Sequence, residues 1–153
     1  MKSIYLDASV PSAYYEEFQI KRLKITRLWW EKIGDYEVLI STLTLKEIKA
    51  LKDKEKREAI LSLLHNFLVL KITPLIETLS KDYIQAKIIP LNSLNDALHL
   101  SIAVINKIDI LLSWDFTHLV KKEVERKVNI YNITNGYSQI QITSPGEFLS
   151  LDS

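Results

Sequence analysis

Short runs of consecutive apolar residues alternate along the chain with longer stretches whose apolar residues recur every three or four positions. The runs at residues 2–7, 36–40, 68–72 and 109–113 have the length and β-branched content of buried strands. Between them, Ser9 reads as an N-cap, with Pro11 in the first turn of a helix. Ile20, Leu23, Leu28, Trp30 and Ile33 keep a helical rhythm that stops at Gly34. Ser41 and Thr42 cap a helix carrying Leu43, Leu45, Ile48 and Leu51, and a charged helix follows with Ile60, Leu63, Leu64 and Phe67 on its apolar face. Pro74 opens a helix to about residue 89, and Asn92 or Ser93 caps the most apolar helix, with its body at residues 97–105. Charged helical material near residues 121–127 leads to two extended segments, 128–133 and 139–143, and residues 145–149 form a last helical turn. Strands alternating with helices predict an α/β fold: a three-layer sandwich whose mostly parallel central sheet is flanked by helices. No Pro/Gly/Ser-rich linker and no repeat interrupts the pattern, so a single domain over residues 1–153 is expected.

Composition narrows the chemistry. The 153 residues include 20 Lys+Arg and 19 Asp+Glu, a net charge of +1, which excludes a globally basic nucleic-acid binder but leaves local patches open. The chain has no cysteine, so a disulfide scaffold, a thiolate zinc site and a cysteine nucleophile are all excluded. Its three glycines, Gly34, Gly136 and Gly146, are scattered. Loops that cradle phosphate with backbone N–H groups need clustered glycines, so any phosphate chemistry falls to side chains or metal ions. The first apolar run is too short for a signal peptide and Asp7 interrupts it, and the uncharged stretch 128–146 is too polar to span a bilayer. A soluble, cytoplasmic protein without membrane contact is expected.

In a parallel α/β sheet, ligands lie outside the carboxyl ends of the strands. Asp7 ends the first predicted strand and Asp115 the fourth; Glu47 lies early in the helix after the second strand, and Asp96 begins the most apolar helix. Each acid alone has an ordinary explanation: Asp96 as a helix-start acid, Asp7 and Asp115 as caps, Glu47 as a solvated charge between Lys46 and Lys49. Together they occupy one sheet edge. Crowded carboxylates repel one another unless cations or protons compensate, and hard divalent ions such as Mg²⁺ prefer such oxygen ligands.

The segments carrying these acids resemble the motifs of the PIN-domain family. Ile4-Tyr5-Leu6-Asp7-Ala8-Ser9-Val10 is similar to its opening strand and Ser41-Thr42-Leu43-Thr44-Leu45-Lys46-Glu47-Ile48 to its second motif. Asn95-Asp96-Ala97-Leu98-His99-Leu100-Ser101-Ile102-Ala103 resembles the third, and Asp109-Ile110-Leu111-Leu112-Ser113-Trp114-Asp115-Phe116 the fourth. The resemblance implies a PIN-like fold and a Mg²⁺- or Mn²⁺-dependent endoribonuclease, with Asp7, Glu47, Asp96 and Asp115 as catalytic and metal-binding acids. It also implies Ser9 and Ser113 as auxiliary polar groups. It further implies a VapC-type toxin of a toxin–antitoxin pair, with an RNA substrate, an antitoxin protein as partner and a homodimeric state.

His99 follows Asp96 by three residues and shares its helical face, as an auxiliary group or as an ordinary core-edge histidine. His118 follows Asp115 by three and approaches the same edge; no histidine pair has zinc-ligand spacing. Lys21, Arg22, Lys24, Arg27 and Lys32 face only Glu31, and a second basic run spans residues 46–57. Both are solvated helix faces or a phosphate-attracting rim, with Lys46 and Lys49 the candidate substrate contacts. Trp29 and Trp30 point to different helical faces, so at least one is partly exposed. Two rival readings remain: a non-catalytic PIN scaffold that binds RNA or protein, and a receiver-type domain phosphorylated on an aspartate. The receiver reading wants an acidic pair on the first strand, where only Asp7 stands.

Overall fold

The computed structural model describes residues 1–152, with side chains described through Ser150. Five strands form one sheet: β1 (Ser3–Leu6), β2 (Glu37–Ser41), β3 (Leu68–Leu70), β4 (Ile110–Leu112) and β5 (Gln141–Thr143). Their spatial order is β3-β2-β1-β4-β5, and all four neighbouring pairs are parallel. The mostly parallel sheet expected from sequence is therefore wholly parallel. Among the described residues eight α-helices cover it: α1 (Ser9–Ala13), α2 (Ile20–Trp30), α3 (Thr42–Lys49), α4 (Lys54–Leu63), α5 (Pro74–Gln85), α6 (Leu94–Ile105), α7 (Lys122–Asn135) and α8 (Pro145–Asp152).

Alternation along each strand feeds two separate cores, as a parallel sheet covered on both faces requires. Tyr5, Leu39 and Leu111 point into a core with α5, α6 and α7, whereas Ile4, Leu6, Val38, Ile40, Ile110 and Leu112 point into a second. The second core is closed by Val10 of α1, Trp29 of α2, Ile60 of α4 and Phe148 of α8. Trp29 is fully buried and its neighbour Trp30 is half-buried, so the adjacent pair splits between faces as its spacing demands.

Several helix ends follow their sequence signals. The Ser41 hydroxyl accepts the Thr44 N–H at 3.2 Å at the start of α3, and the Thr73 hydroxyl accepts the Ile76 N–H at 3.3 Å ahead of Pro74. Other ends differ. Ser9 does not cap α1, because its hydroxyl is engaged with Asp7 and Trp114; Ala8 takes the cap position without a side-chain bond. Helix α2 stops at Trp30, and a 3₁₀ turn at Ile33–Asp35 carries the chain past Gly34. Helix α5 ends at Gln85, with Lys87 at φ 62 turning the chain before Ile89.

The largest difference lies at residues 128–133, which continue α7 instead of extending. Their β-branched residues suit a strand locally, but Val128 and Asn132, four residues apart, share the buried face of one helix. Asn132 anchors that face: its Oδ1 accepts the Tyr83 hydroxyl at 2.5 Å, and its Nδ2 donates to the Ser138 carbonyl at 2.8 Å. Gly136, at φ 80, then supplies the left-handed residue that ends the helix.

Asn132→Ala leaves the buried Tyr83 hydroxyl and the Ser138 carbonyl without their partner, which is expected to lower unfolding free energy by about 1–3 kcal/mol. Urea denaturation followed by far-UV circular dichroism measures this; an unchanged midpoint would show that the contact contributes nothing.

Candidate functional site at the carboxyl edge of the sheet

The chain leaves β1 toward β2 and β3 on one side and returns to β4 and β5 on the other. The crevice between the carboxyl ends of β1 and β4 is therefore the topological switch point, where parallel sheets bind ligands. Asp7 follows β1 directly and Asp115 stands three residues beyond Leu112 of β4. Helix α6 runs back through a short link into β4, which brings its first turn and Asp96 to the same edge. Glu47 reaches it from α3, after β2.

Asp7 is only 5% exposed. Its Oδ1 accepts the Ser9 N–H at 3.0 Å and the Ser9 hydroxyl at 2.5 Å, and its Oδ2 accepts the Ser113 hydroxyl at 2.6 Å. Burial pushes the Asp7 carboxyl above its ordinary range, against the opposing pull of His99 and of these hydrogen bonds. The two serines also tie Asp7 to the loop after β4. The Trp114 N–H donates to Ser9 Oγ at 2.8 Å, and the Asp115 N–H donates to Ser113 Oγ at 2.9 Å.

Asp115 divides its two oxygens. Oδ1 accepts the N–H groups of Thr117 and His118, at 2.8 and 3.0 Å, and so fixes the turn that follows. Oδ2 lies 3.8 Å from His118 Nδ1, which in turn lies 3.1 Å from Asp96 Oδ2. Asp96, Asp115 and His118 each offer a ligating atom, all within 4.8 Å of one another; among the described residues no other group of three does so. Desolvation, followed by the charge of Asp115, pushes the Asp96 carboxyl up to about 6, although His118 opposes the shift. That shift marks an electrostatic deficit a cation would relieve.

Asp7 and Glu47 stand outside this set of three. Glu47 Oε1 instead pairs with Nε2 of the buried His99. His99 Nδ1 lies 2.6 Å from the Tyr5 hydroxyl, and Tyr5 in turn lies 2.7 Å from Ser41 Oγ. Thr44 closes the line by donating its hydroxyl to the Leu6 carbonyl at 3.0 Å. One tautomer satisfies every group: Ser41 donates to Tyr5, Tyr5 to His99 Nδ1, and His99 Nε2–H to Glu47. Burial holds the Tyr5 phenol protonated, far above its ordinary range.

The structure thus brings Asp96 and Asp115 into direct proximity, ties Asp7 to the backbone of Trp114 and Asp115 through Ser9 and Ser113, and holds Glu47 through His99. Lys46 and Lys49 are exposed in the last turn of α3. Sequence reasoning read one participant only in part and missed another. His118 bridges the two acids, and its spacing from Asp115 signalled only a shared edge. Tyr5 carried no signal, because its position in an apolar strand reads as packing alone.

The sequence profile of the PIN domain matches residues 4–124. No curated protein sequence matches the chain. Solved structures with a similar fold include VapBC2 from Rickettsia felis bound to a promoter DNA fragment, with 14% identity, a TM-score of 0.58 and coverage of 93% of this chain and 98% of that one. VapC20 of Mycobacterium tuberculosis, described as a sarcin-ricin loop cleaving toxin, shows 15% identity and a TM-score of 0.61 over 75% of this chain and 92% of its own. VapBC-1 from nontypeable Haemophilus influenzae shows 15% identity and a TM-score of 0.57 over 94% and 98%.

The raised Asp96 carboxyl sets a pH signature. Between about pH 4 and pH 6 the folded protein keeps a proton that the unfolded chain releases, so stability present below pH 4 is lost as pH rises through 6. Asp96→Asn removes that loss. Its gain over the wild type is expected on the order of 1–2 kcal/mol near pH 8, discounted for partial solvent screening, and near zero around pH 4. Thermal unfolding at both pH values checks this; a difference independent of pH contradicts it.

Proposed function

Because the chain belongs to the PIN-domain family, we propose that it is a divalent-metal-dependent endoribonuclease that serves as the toxin of a toxin–antitoxin pair. The observation that carries the reading is the Asp96, Asp115 and His118 cluster at the β1–β4 switch point, with Asp7 locked beside it by two serine hydroxyls. The neighbours add support: one is described as a sarcin-ricin loop cleaving toxin, and two are VapBC structures.

The donor set fits Mg²⁺ or Mn²⁺. It offers carboxylate oxygens that repel one another, with one imidazole nitrogen at the rim. Asp7, Asp96 and Asp115 would hold the ion or ions, with Glu47 completing the acidic edge. When bound, such an ion supplies positive charge to the phosphodiester and acidifies water. The chain's own groups do the positioning. Ser9 and Ser113 aim both oxygens of Asp7. The turn built on Asp115 Oδ1 leaves Oδ2 directed toward Asp96 and His118. His99, braced by Tyr5, fixes the direction of Glu47. Hydrolysis forms one bond from water oxygen to phosphorus and breaks one phosphorus–oxygen ester bond of the RNA.

On this reading residues 1–153 work as one PIN-like domain in the cytoplasm, as a homodimer held in check by an antitoxin protein. The Lys46 and Lys49 ammonium groups would attract the RNA backbone. Among the described residues no helix is long and apolar enough to cross a membrane. The non-catalytic scaffold makes the opposite demand on the acids, because it needs none of them.

Asp7→Asn and Asp96→Asn are each expected to cut RNA cleavage in Mn²⁺ by about a hundredfold or more, with circular dichroism unchanged. EDTA is expected to stop the wild type, and added Mn²⁺ to restore it. Undiminished cleavage by either variant would sink the proposal.

A further inference from the structure

A cleft of about 190 Å³ opens beside Asp115, lined by Ser9, Ser12, Glu16, Gln19, Arg22 and Trp114 among others. It is smaller than the roughly 300–1,000 Å³ of pockets that enclose a whole small-molecule ligand. It suits one unit of a longer chain. Its polar residues are not equally available. Glu16 is paired with Lys56 at 2.9 Å and also accepts the Phe18 N–H. Arg22 is half-buried on α2, and among the described residues its guanidinium makes no hydrogen bond and no ion pair. It lies over the ring of Trp114, 5.1 Å from the centroid, and over Phe116 at 5.6 Å.

That platform is rigid. Trp114 Nε1–H donates to Thr26 Oγ1 at 2.9 Å, and the Thr26 hydroxyl donates to the Arg22 carbonyl one helical turn back at 2.7 Å. The Trp114 backbone is held by Ser9, the same serine that positions Asp7. Aromatic faces hold a guanidinium flat and weakly hydrated, with its N–H fork free at the edges. Such a group binds phosphate in bidentate fashion. A half-buried cation that makes only ring contacts among the described residues, in a cleft that Asp115 also lines, is available to an incoming anion.

We propose that Arg22 and this cleft seat the nucleotide next to the scissile bond, with the guanidinium clamping that nucleotide's phosphate on a single-stranded RNA. The assignment rests on the nuclease reading and deepens it. One backbone then spans both features: a phosphate on Arg22 and its neighbour at the carboxylates. An acidic protein segment could meet Arg22 with a carboxylate, but it carries no phosphodiester to place at the neighbouring acidic cluster. Arg22 also differs in kind from Lys46 and Lys49, whose exposed ammonium groups attract a polyanion without fixing its register.

The test is binding of a labelled, mixed-sequence single-stranded RNA, read by fluorescence anisotropy over a range of salt, in an Asp96→Asn background that does not cut. Arg22→Ala is expected to raise Kd about tenfold, and to flatten the slope of log K against log salt by about 0.7, the value of one lost phosphate contact. Arg22→Lys keeps the slope but recovers the affinity only in part. Lys2→Ala, which removes an exposed charge at the opposite edge of the sheet, changes neither. Thermal unfolding of each variant separates a binding loss from a folding loss. An Arg22→Ala slope and Kd equal to the parent's would overturn the subsite, as would no RNA binding by the parent. Equal weakening toward poly-glutamate would reassign the cleft to an acidic protein. The nuclease reading stands or falls separately, on cleavage by the wild-type chain.

Discussion

Asp96 and Asp115 repel each other at a half-buried sheet edge, and the surrounding structure is arranged to keep them there. Desolvation and the charge of Asp115 together force the Asp96 carboxyl up to about 6, so the pair is a standing cost at neutral pH unless positive charge is supplied. His118, with Nδ1 3.1 Å from Asp96 Oδ2, opposes part of that shift. The parallel sheet supplies the rest of the constraint. With β1 and β4 adjacent and parallel, the residues that follow them must emerge side by side, and their short loops are cross-tied by Ser9 and Ser113.

Two hydrogen-bonded systems flank this centre, each passing from the core to a carboxylate. On one side, Ser113 and Ser9 join Asp7 to the backbone of Trp114 and Asp115. On the other, Ser41, Tyr5 and His99 lead to Glu47 through side chains that are almost wholly buried except at the glutamate. Buried polar chains of this kind are costly when incomplete and rigid when complete. Their completeness fixes carboxylate directions that a flexible loop would not hold. Ser9 belongs to both the acidic centre and the Trp114 platform, so it couples the position of Asp7 to that of Arg22.

Much of this was legible in the sequence, because it follows from periodicity. The short apolar runs mark β1 to β4, and the rule that parallel sheets work at their carboxyl ends selects Asp7, Glu47, Asp96 and Asp115 for attention. What the sequence concealed depends on long-range partners. Ser9 has the local form of a helix cap, yet its hydroxyl donates to Asp7 and accepts the Trp114 N–H from a loop about a hundred residues away. Residues 128–133 favour a strand by composition, but the burial of Val128 and Asn132 on one face of α7 outweighs that preference. The partners of Tyr5 lie at the end of β2 and on α3 and α6, so no local pattern reveals its hydroxyl as a structural link.

Whether this carboxylate edge binds a divalent cation is decided by anomalous diffraction at the manganese edge from crystals grown with Mn²⁺. A peak is expected in contact with the carboxylates of Asp96 and Asp115, on the side facing Asp7, and is expected to be lost in Asp96→Asn crystals. A map with no peak there, or with manganese bound only elsewhere on the surface, would contradict a cation site at this edge.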